Sequence, residues 1–266
     1  MFKTRLLSGI VLVLIALALI ITGGNVLLAG LTIVSLIGIF EIYRVFHIEK
    51  SLAGIVGYIA VLVYYANVLW NFIPDIMLFV LAALIVFMAV YVFSFPKYKA
   101  DQIFAGFFGV FYVAVMLSCV YHTRMLDAGA YIVWLIFLCS WGCDTCAYCV
   151  GVLIGKHKMA PNLSPKKSVE GAVGGVLGAA LLTLLYGFVF QKQMDLSTEY
   201  IFILAGISAI GALISMVGDL AASAIKRNYD IKDYGKLIPG HGGILDRFDS
   251  VIFTAPIIYY LAMYLI

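Results

Sequence analysis

Long apolar stretches recur along nearly the whole chain, and short polar segments separate them. Each stretch is roughly 20 residues long, which is the length a helix needs to cross the hydrocarbon core of a bilayer. Since only helices and closed barrels satisfy their backbone in lipid, the pattern predicts an all-α polytopic membrane protein. About nine spans are predicted, near residues 6–22, 25–43, 52–70, 74–95, 103–121, 129–150, 170–190, 200–222 and 250–266.

The first apolar stretch resembles a signal peptide, because Lys3 and Arg5 precede it. No small-residue cleavage site follows it, however, and the second span begins almost at once. We therefore interpret it as a retained membrane helix.

Composition agrees with a membrane protein. Hydrophobic residues make up 64% of the 266 residues and charged residues only 12%, and the mean hydropathy is +1.09. So little charge cannot cover the surface of a soluble domain. Short loops and no large soluble domain are expected, and we expect no nucleic acid among the partners.

The distribution of positive charge predicts the orientation. With a cytoplasmic N-terminus and an external C-terminus, every Lys and Arg except Arg124 and Lys192 falls on the cytoplasmic side. Such one-sidedness is what the positive-inside rule requires. Two basic cytoplasmic loops result, 155–169 and 226–247. Attraction to anionic lipid headgroups is the alternative reason for their charge.

Polar residues near the membrane edges are concentrated in the second half of the chain. We therefore divide it into an N-terminal scaffold of about five spans, 1–128, and a C-terminal functional region of about four spans, 129–266. Glycines 171, 174, 175 and 178 are interpreted as packing residues that let helices approach closely.

The most informative part of the chain is residues 223–249, which we call the signature segment. It places cations, carboxylates and the turn Gly240-His241-Gly242-Gly243 between two apolar spans. Placing charged side chains between two membrane spans costs free energy, and this cost favours a functional role for the segment. Cationic side chains and the backbone amides of glycines suit phosphates, and carboxylates suit a divalent metal.

Three aspartates are candidate ligands of a hard cation in this region. Asp219 lies near the cytoplasmic end of an apolar span, one helical turn before Ser223, and Asp246 and Asp249 begin the last span. Oxygen ligands alone suit a hard cation. The alternative for Asp219 is an ion pair with Lys226 or Arg227.

A fourth candidate, Asp144, shares a helical stripe with Tyr148, Gly151 and Gly155. The stripe suits a ligand that approaches the backbone, or else a helix-packing groove. Further along, Lys166 and Lys167 could bind phosphates, and Ser168 is expected to cap the next helix through Gly171. On a continuous helix, one face would carry Cys139, Cys143, Cys146 and Cys149. A packing role is favoured for these cysteines over a metal cluster or disulfides.

These motifs resemble the phosphatidate cytidylyltransferase (CDP-diacylglycerol synthase) family. The resemblance covers residues 144–250 and rests on two blocks. One runs from Asp144-Thr-x-Ala-Tyr148 through Gly155-Lys156 to Ser164-Pro165-Lys166-Lys167-Ser168-x-Glu170-Gly171, with serine at 168 where the family leads us to expect threonine. The other is the signature segment, including Ile238-Pro239-Gly240-His241-Gly242-Gly243-Ile244-x-Asp246-Arg247-x-Asp249.

The resemblance implies that CTP and phosphatidic acid give CDP-diacylglycerol and pyrophosphate, with Mg²⁺ and a possible second cation. It also implies a homodimer. The inner membrane is the expected location, and the positive charge of the two basic loops predicts an active site at its cytoplasmic face. A transferase acting on another lipid phosphate, such as an ether-linked isoprenoid one, would look alike. A transporter is disfavoured because the charges gather at one face.

Roles follow for the candidate residues. The metal ligands are expected to be Asp219, Asp246, Asp249 and Asp144. The catalytic residues are expected to be Asp219, Asp246, Lys167, Lys226, Arg227 and Arg247. The substrate-binding residues are expected to be Lys166, Ser223, Lys232, Gly240, His241, Gly242, Gly243 and Tyr148.

Overall fold

The computed structural model describes residues 2–265, with side chains described from residue 7 onward. Lys3 and Arg5, which enter the orientation argument, therefore lie outside the described side chains. The helices are α1 (Phe2–Thr22), α2 (Gly24–Val45), α3 (Leu52–Trp70), α4 (Ile76–Phe93), α5 (Ala100–Gly109), α6 (Met116–Arg124), α7 (Gly129–Phe137), α8 (Cys143–Ile154), α9 (Val169–Met194), α10 (Thr198–Asn228) and α11 (Leu245–Leu265).

Within the described residues, eight helical segments are long and apolar enough to cross a membrane. They match the predicted spans from the second to the ninth. The predicted first span corresponds to α1, whose described side chains, Leu7–Thr22, form an apolar stretch. The all-α, multi-pass class is thus confirmed, while the orientation of the termini stays a prediction.

Two π-helical segments interrupt spans that hydropathy predicts as continuous. Val110–Val115 joins α5 to α6, and Leu138–Gly142 joins α7 to α8. A π-helical turn inserts extra backbone and changes which side chains share a face. Of the four cysteines in this span, only Cys139 lies in a π-helical segment, while Cys143, Cys146 and Cys149 lie on α8. Cys139 and Cys143 are buried, whereas Cys149 is exposed. The premise of a continuous α-helix thus fails at Cys139, the common face of the other three stays a prediction, and all four cysteines are free thiols.

The predicted loop 155–169 contains a small antiparallel sheet, which the all-α prediction did not include. Strand β1 (Lys158–Ala160) pairs with β2 (Ser164–Ser168), with Lys158 opposite Ser168. The sheet ends where α9 begins. Ser168 caps α9 by accepting a hydrogen bond from the Gly171 amide at 3.1 Å, which confirms the predicted cap.

The chain packs into two compact units. The first comprises Met1–Ser118 and Asp233–Asp246, and the second comprises Cys119–Lys232 and Arg247–Ile266. The central part of the signature segment thus packs with the N-terminal helices. The division into a scaffold, 1–128, and a catalytic region, 129–266, is one of function and stays a prediction.

The core of the first unit forms around Tyr43 on α2, which is fully buried. Its hydroxyl donates to the Gly106 carbonyl at 2.6 Å. Gly57 on α3 and Gly109 on α5 lie directly against its ring. The absence of side chains at these two positions lets α3 and α5 approach α2 closely.

In the second unit, α9 packs against α8 and α10. The predicted packing glycines lie on the α8 side, where a Cβ at Gly174 would meet Val150 and one at Gly178 would meet Cys146. On the α10 side, Thr183 donates to Ser208 at 2.7 Å in a buried contact. These two close contacts fix α9 between its neighbours.

Substituting Gly57 with alanine should destabilise the first unit. The added Cβ would lie 2.6 Å from two ring atoms of Tyr43, and overpacking of this kind typically costs about 1–3 kcal/mol. The thermal unfolding midpoint in detergent measures the effect. Gly206→Ala is the matched control, because nothing lies within 4 Å of its added Cβ. Equal midpoints for the two variants would contradict the packing account.

Candidate active site

A cavity of about 520 Å³ in the second unit brings together many of the predicted residues. It lies where α8, the two-stranded sheet, α9 and α10 meet. Its lining combines cations and carboxylates with apolar side chains: Asp144, Ala147, Tyr148, Gly151, Val152, Lys158, Met159, Ser164, Lys166, Lys167, Ser168, Gly171, Ala172, Met216 and Asp219. A cavity with this mixture suits a ligand that has both phosphate and apolar parts.

An ion pair between Lys167 and Asp219 spans the cavity wall from β2 to α10. Both side chains are about three-quarters buried, with exposed fractions of 24% and 25%. The sequence did not name Lys167 as this partner, and the alternative pair of Asp219 with Lys226 or Arg227 stays a prediction. On the other side of Asp219, the Ser223 hydroxyl lies 3.5 Å from Oδ1, as their helical spacing predicts.

The predicted stripe along α8 faces this cavity. Asp144, Tyr148 and Gly151 all line it, whereas Gly155 ends the helix. A Cβ at Gly155 would collide with Ser168, so the end of α8 packs against the start of α9. Close packing is thus confirmed at the Gly155 end of the stripe, and the approach of a ligand to the rest of it stays a prediction.

Two further charged groups of the second unit, Asp249 and Arg247, interact electrostatically with carboxylates that line the cavity. The charges of Asp219, Lys226 and Asp144 act on the buried Asp249 carboxyl, whose Oδ1 accepts from the Ser250 amide at 2.8 Å. Arg247 acts in turn on Asp144. Three predicted metal ligands of this unit are therefore within electrostatic range of one another.

The remaining predicted cations of α10 and the following loop have different surroundings. Lys226 is buried, whereas Arg227 and Lys232 are exposed. Arg227 donates to the Ile231 carbonyl at 3.1 Å and so fixes the end of α10. Substrate contacts for these three residues stay predictions.

Glu170 was outside the predicted site and secures the start of the basic loop. Its carboxylate accepts from the backbone amides of Lys156 and His157 and pairs with the His157 ring at 2.6 Å. A carboxylate in the first helical turn could be noticed in the sequence, but its partners 13 and 14 residues earlier could not.

In the first unit, the central part of the signature segment, Asp233–Asp246, contains a compact turn. Ile238 donates to the Gly242 carbonyl at 2.8 Å, and His241 donates back to Ile238. Gly240 and Gly242 have φ values of 78° and 88°, a region that other residues rarely adopt. The backbone amides of His241 and Gly243 are thus engaged within the segment, and their predicted contact with the nucleotide stays a prediction.

Asp246 closes this turn. Its Oδ2 accepts from the backbone amides of Tyr234 at 2.7 Å and Gly243 at 2.9 Å. The side chain therefore organises the segment in which the sequence predicted a metal ligand. At the tip of the turn, the His241 ring lies 2.9 Å from the Ser8 hydroxyl of α1.

Sequence reasoning missed Glu41, a buried carboxylate on α2 that is 3% exposed. It accepts from the amides of Ile244 at 3.1 Å and Leu245 at 2.8 Å. The available signal was a lone carboxylate within an otherwise apolar span. Its partners, more than 200 residues away, gave no signal in the sequence.

No group of three or more His, Cys, Asp or Glu side chains within the described part of the chain forms a ready metal site. This does not exclude magnesium, which is commonly held by one or two carboxylates together with substrate phosphates. Asp144 and Asp219, which line one cavity, supply that kind of donor set.

The fold and the cavity together define a polytopic membrane protein suited to a phosphate-bearing, partly apolar substrate. The model of the cytidylyltransferase family matches residues 3–265. The chain therefore belongs to the cytidylyltransferase family, as its motifs predicted.

Individual relatives agree with this assignment. The phosphatidate cytidylyltransferase of Bacillus subtilis (strain 168) is 31% identical over 266 residues, which cover 97% of each chain. That of Staphylococcus aureus (strain COL) is 31% identical over 96% of this chain and 97% of its own length. A Staphylococcus epidermidis (strain ATCC 12228 / FDA PCI 1200) phosphatidate cytidylyltransferase is 32% identical over the same shares.

The Lys167–Asp219 pair should show energetic coupling. Lys167→Met and Asp219→Asn each leave one charge without its partner, so the double variant should recover part of the loss. Since both side chains are partly exposed, a coupling of about 1 kcal/mol is expected. Thermal unfolding in detergent without CTP or divalent metal measures it.

Lys166→Met provides the matched control for this cycle, because Lys166 lines the same cavity without an ion pair to Asp219 in the structure. Combined with Asp219→Asn, it should give additive losses. Additive losses for the Lys167 cycle as well would contradict the ion pair.

Proposed function

We propose that this protein transfers the cytidylyl group of CTP to phosphatidate, giving CDP-diacylglycerol and pyrophosphate. Family membership supports cytidylyl transfer, and the names of the relatives support phosphatidate as the acceptor. The observation in the structure that carries the proposal is the cavity between α8, the sheet, α9 and α10.

The chemistry of this cavity fits both substrates. Lys158, Lys166 and Lys167 supply positive charge for phosphates, and Asp144 and Asp219 supply oxygen ligands for a cation. Lys158 was not among the predicted site residues, since in sequence it is one lysine in a basic loop. Apolar lining residues such as Val152 and Met159 are compatible with the lipid part of phosphatidate.

The reaction requires little acid–base chemistry. A phosphate monoester has a second pKa of about 6, so phosphatidate is largely a dianion at neutral pH. One of its oxygens attacks the α-phosphorus of CTP, and the bond from that phosphorus to the oxygen bridging to the β-phosphorus breaks. Pyrophosphate leaves with the electron pair of that bond, and no proton has to be moved.

The obstacle is the repulsion between a lipid dianion and a triphosphate. The residues of this chain are proposed to reduce it by neutralising charge and by aligning the two phosphates in line. Lys167 and Lys166 act from the cavity wall, and Lys226, Arg227, Lys232 and Arg247 are the further cations proposed to contact phosphates. Tyr148 and Ser223 are proposed to border the bound substrates.

The carboxylates are proposed to hold Mg²⁺. Asp219 and Asp144 would bind it from the cavity, with Asp246 and Asp249 as the other proposed ligands. When bound, the cation would neutralise phosphate charge and stabilise the leaving pyrophosphate. In the structure, the Asp219 carboxylate forms an ion pair with the Lys167 ammonium group.

The location of the reaction is also a proposal. The multi-pass fold places the protein in a membrane, and we infer that this is the inner membrane with the active site at the cytoplasmic face. The support is the one-sided distribution of Lys and Arg. A homodimer is likewise proposed from the resemblance. The molar mass of the protein in detergent, measured by light scattering, tests this oligomeric state.

Asp219→Asn and Asp246→Asn should abolish turnover while the protein stays folded and inserted. Each change removes a negative charge from a proposed cation ligand. Pyrophosphate release from CTP and phosphatidate, with and without Mg²⁺, measures the loss. A variant that keeps more than about a tenth of the wild-type rate, a barrier change of only ~1.4 kcal/mol, would overturn its assigned role.

Asp127→Asn is the matched control, because Asp127 is exposed in the connection between α6 and α7. It should retain the wild-type rate.

The same assay with an ether-linked isoprenoid phosphate as acceptor separates the two lipid classes. Faster turnover with that lipid than with phosphatidate would refute the proposed acceptor.

Cysteine labelling tests the proposed orientation. Asn162 and Lys192 are both exposed, and they are expected on opposite sides of the membrane. In intact cells, a membrane-impermeant maleimide should modify Lys192→Cys, and it should modify Asn162→Cys only after permeabilisation. The unsubstituted chain controls for its own thiols. Rapid modification of Asn162→Cys in intact cells would reverse the assignment.

A further inference from the structure

Glu41 is a buried charge in a membrane-spanning helix, and the positions of its partners suggest a role in catalysis. Transferring an ionised carboxylate into apolar surroundings is costly unless hydrogen bonds compensate it. Each of its two oxygens accepts one such bond, Oε1 from the Ile244 amide and Oε2 from the Leu245 amide. Both partners belong to the signature segment.

These two amides stand at the start of α11, where a helix has backbone donors without partners in its own turns. A helix is usually capped by the side chain of the residue just before it. Here Gly243 and Ile244 precede Leu245, and neither has a polar side chain. Glu41 takes over this function from another helix, and its negative charge is favourable at the positive end of α11.

The signature segment leaves space for the Glu41 carboxylate. A Cβ built at Gly243 would collide with both of its oxygens, and one built at Gly235 would collide with Oε1. Neither glycine has a positive φ, so the turn geometry does not require glycine there. The close approach of Glu41 accounts for the absence of a side chain at both positions.

The same contacts determine where Asp246 lies. Asp246 follows Leu245 in the first turn of α11, and its Oδ2 binds the amides of Tyr234 and Gly243. The Tyr234 carbonyl in turn accepts from Arg44, which is one turn after Glu41 on α2. Two charged residues of α2 therefore hold both sides of the turn that Asp246 closes.

We propose that Glu41 is a positioning residue for cytidylyl transfer: it fixes the start of α11 and thereby the carboxylate of Asp246. This proposal rests on the proposed function, in which Asp246 takes part in the reaction. Glu41 itself acts through the backbone of Ile244 and Leu245, not through contact with substrate.

Glu41→Gln is the most informative variant. Glutamine has the same shape, but it presents one oxygen and one NH₂ group, so one of the two amides faces a donor and loses its acceptor. Hydrogen exchange followed by mass spectrometry should show at least about tenfold faster exchange in the peptide containing residues 244 and 245, since a hydrogen bond to a charged group is lost.

The kinetic readout accompanies the exchange measurement. Misplacing a reacting group by about 1 Å can cost roughly a hundredfold in rate, so kcat should fall between about tenfold and a hundredfold while KM for CTP changes little. Glu49→Gln, at the connection between α2 and α3, is the matched control and should behave like wild type in both measurements. Wild-type exchange or wild-type kcat for Glu41→Gln would overturn the proposal.

Gly243→Ala tests the same contact from the other side and remains decisive if Glu41→Gln unfolds. Its Cβ should displace the carboxylate and produce the same faster exchange and lower kcat. In the double variant the losses should not multiply, because both changes break one contact. Wild-type behaviour of Gly243→Ala, or multiplied losses in the double variant, would overturn the proposal.

Asp246→Asn, measured in parallel, separates this proposal from the proposed function. Full activity of Asp246→Asn would show that the function assigned to Asp246 is wrong, whatever Glu41 does. An inactive Asp246→Asn beside a fully active Glu41→Gln would leave the function standing and refute the positioning role of Glu41.

Discussion

Each charge inside this apolar protein has to be compensated by a partner close to it, and this constraint shapes both compact units. In the second unit, Asp219 on α10 is compensated by Lys167 from the two-stranded sheet. In the first unit, Glu41 on α2 is compensated by the backbone amides that begin α11. Both contacts join segments that are distant in sequence, and both involve the segments that carry the family motifs.

Features that depend on local sequence could be predicted. The membrane spans follow from stretches of apolar residues, and the helix cap at Ser168 follows from a side-chain oxygen three residues before a free amide. The stripe of Asp144, Tyr148 and Gly151 follows from helical periodicity, and all three residues line the cavity. The motifs predicted the family because long runs of specific residues are unlikely to match by chance.

Features that depend on tertiary contacts could not be predicted in the same way. Lys226 and Arg227 are nearer to Asp219 in sequence than Lys167, yet the sheet brings Lys167 to it. The π-helical segment Leu138–Gly142 has no marked sequence signal, although it interrupts a span that hydropathy predicts as continuous. Glu41 was visible as an isolated carboxylate, but its partners become apparent only when the chain is folded.

The central claim is that the cavity lined by Asp144, Lys167 and Asp219 is the nucleotide site of a cytidylyltransferase. Photo-crosslinking with a CTP analogue that carries the reactive group on its base, followed by peptide mapping, tests it most directly. We predict crosslinks to α8 or to the segment 156–172, suppressed by excess CTP. Crosslinks that excess CTP suppresses but that fall only within α1–α4 would contradict the account.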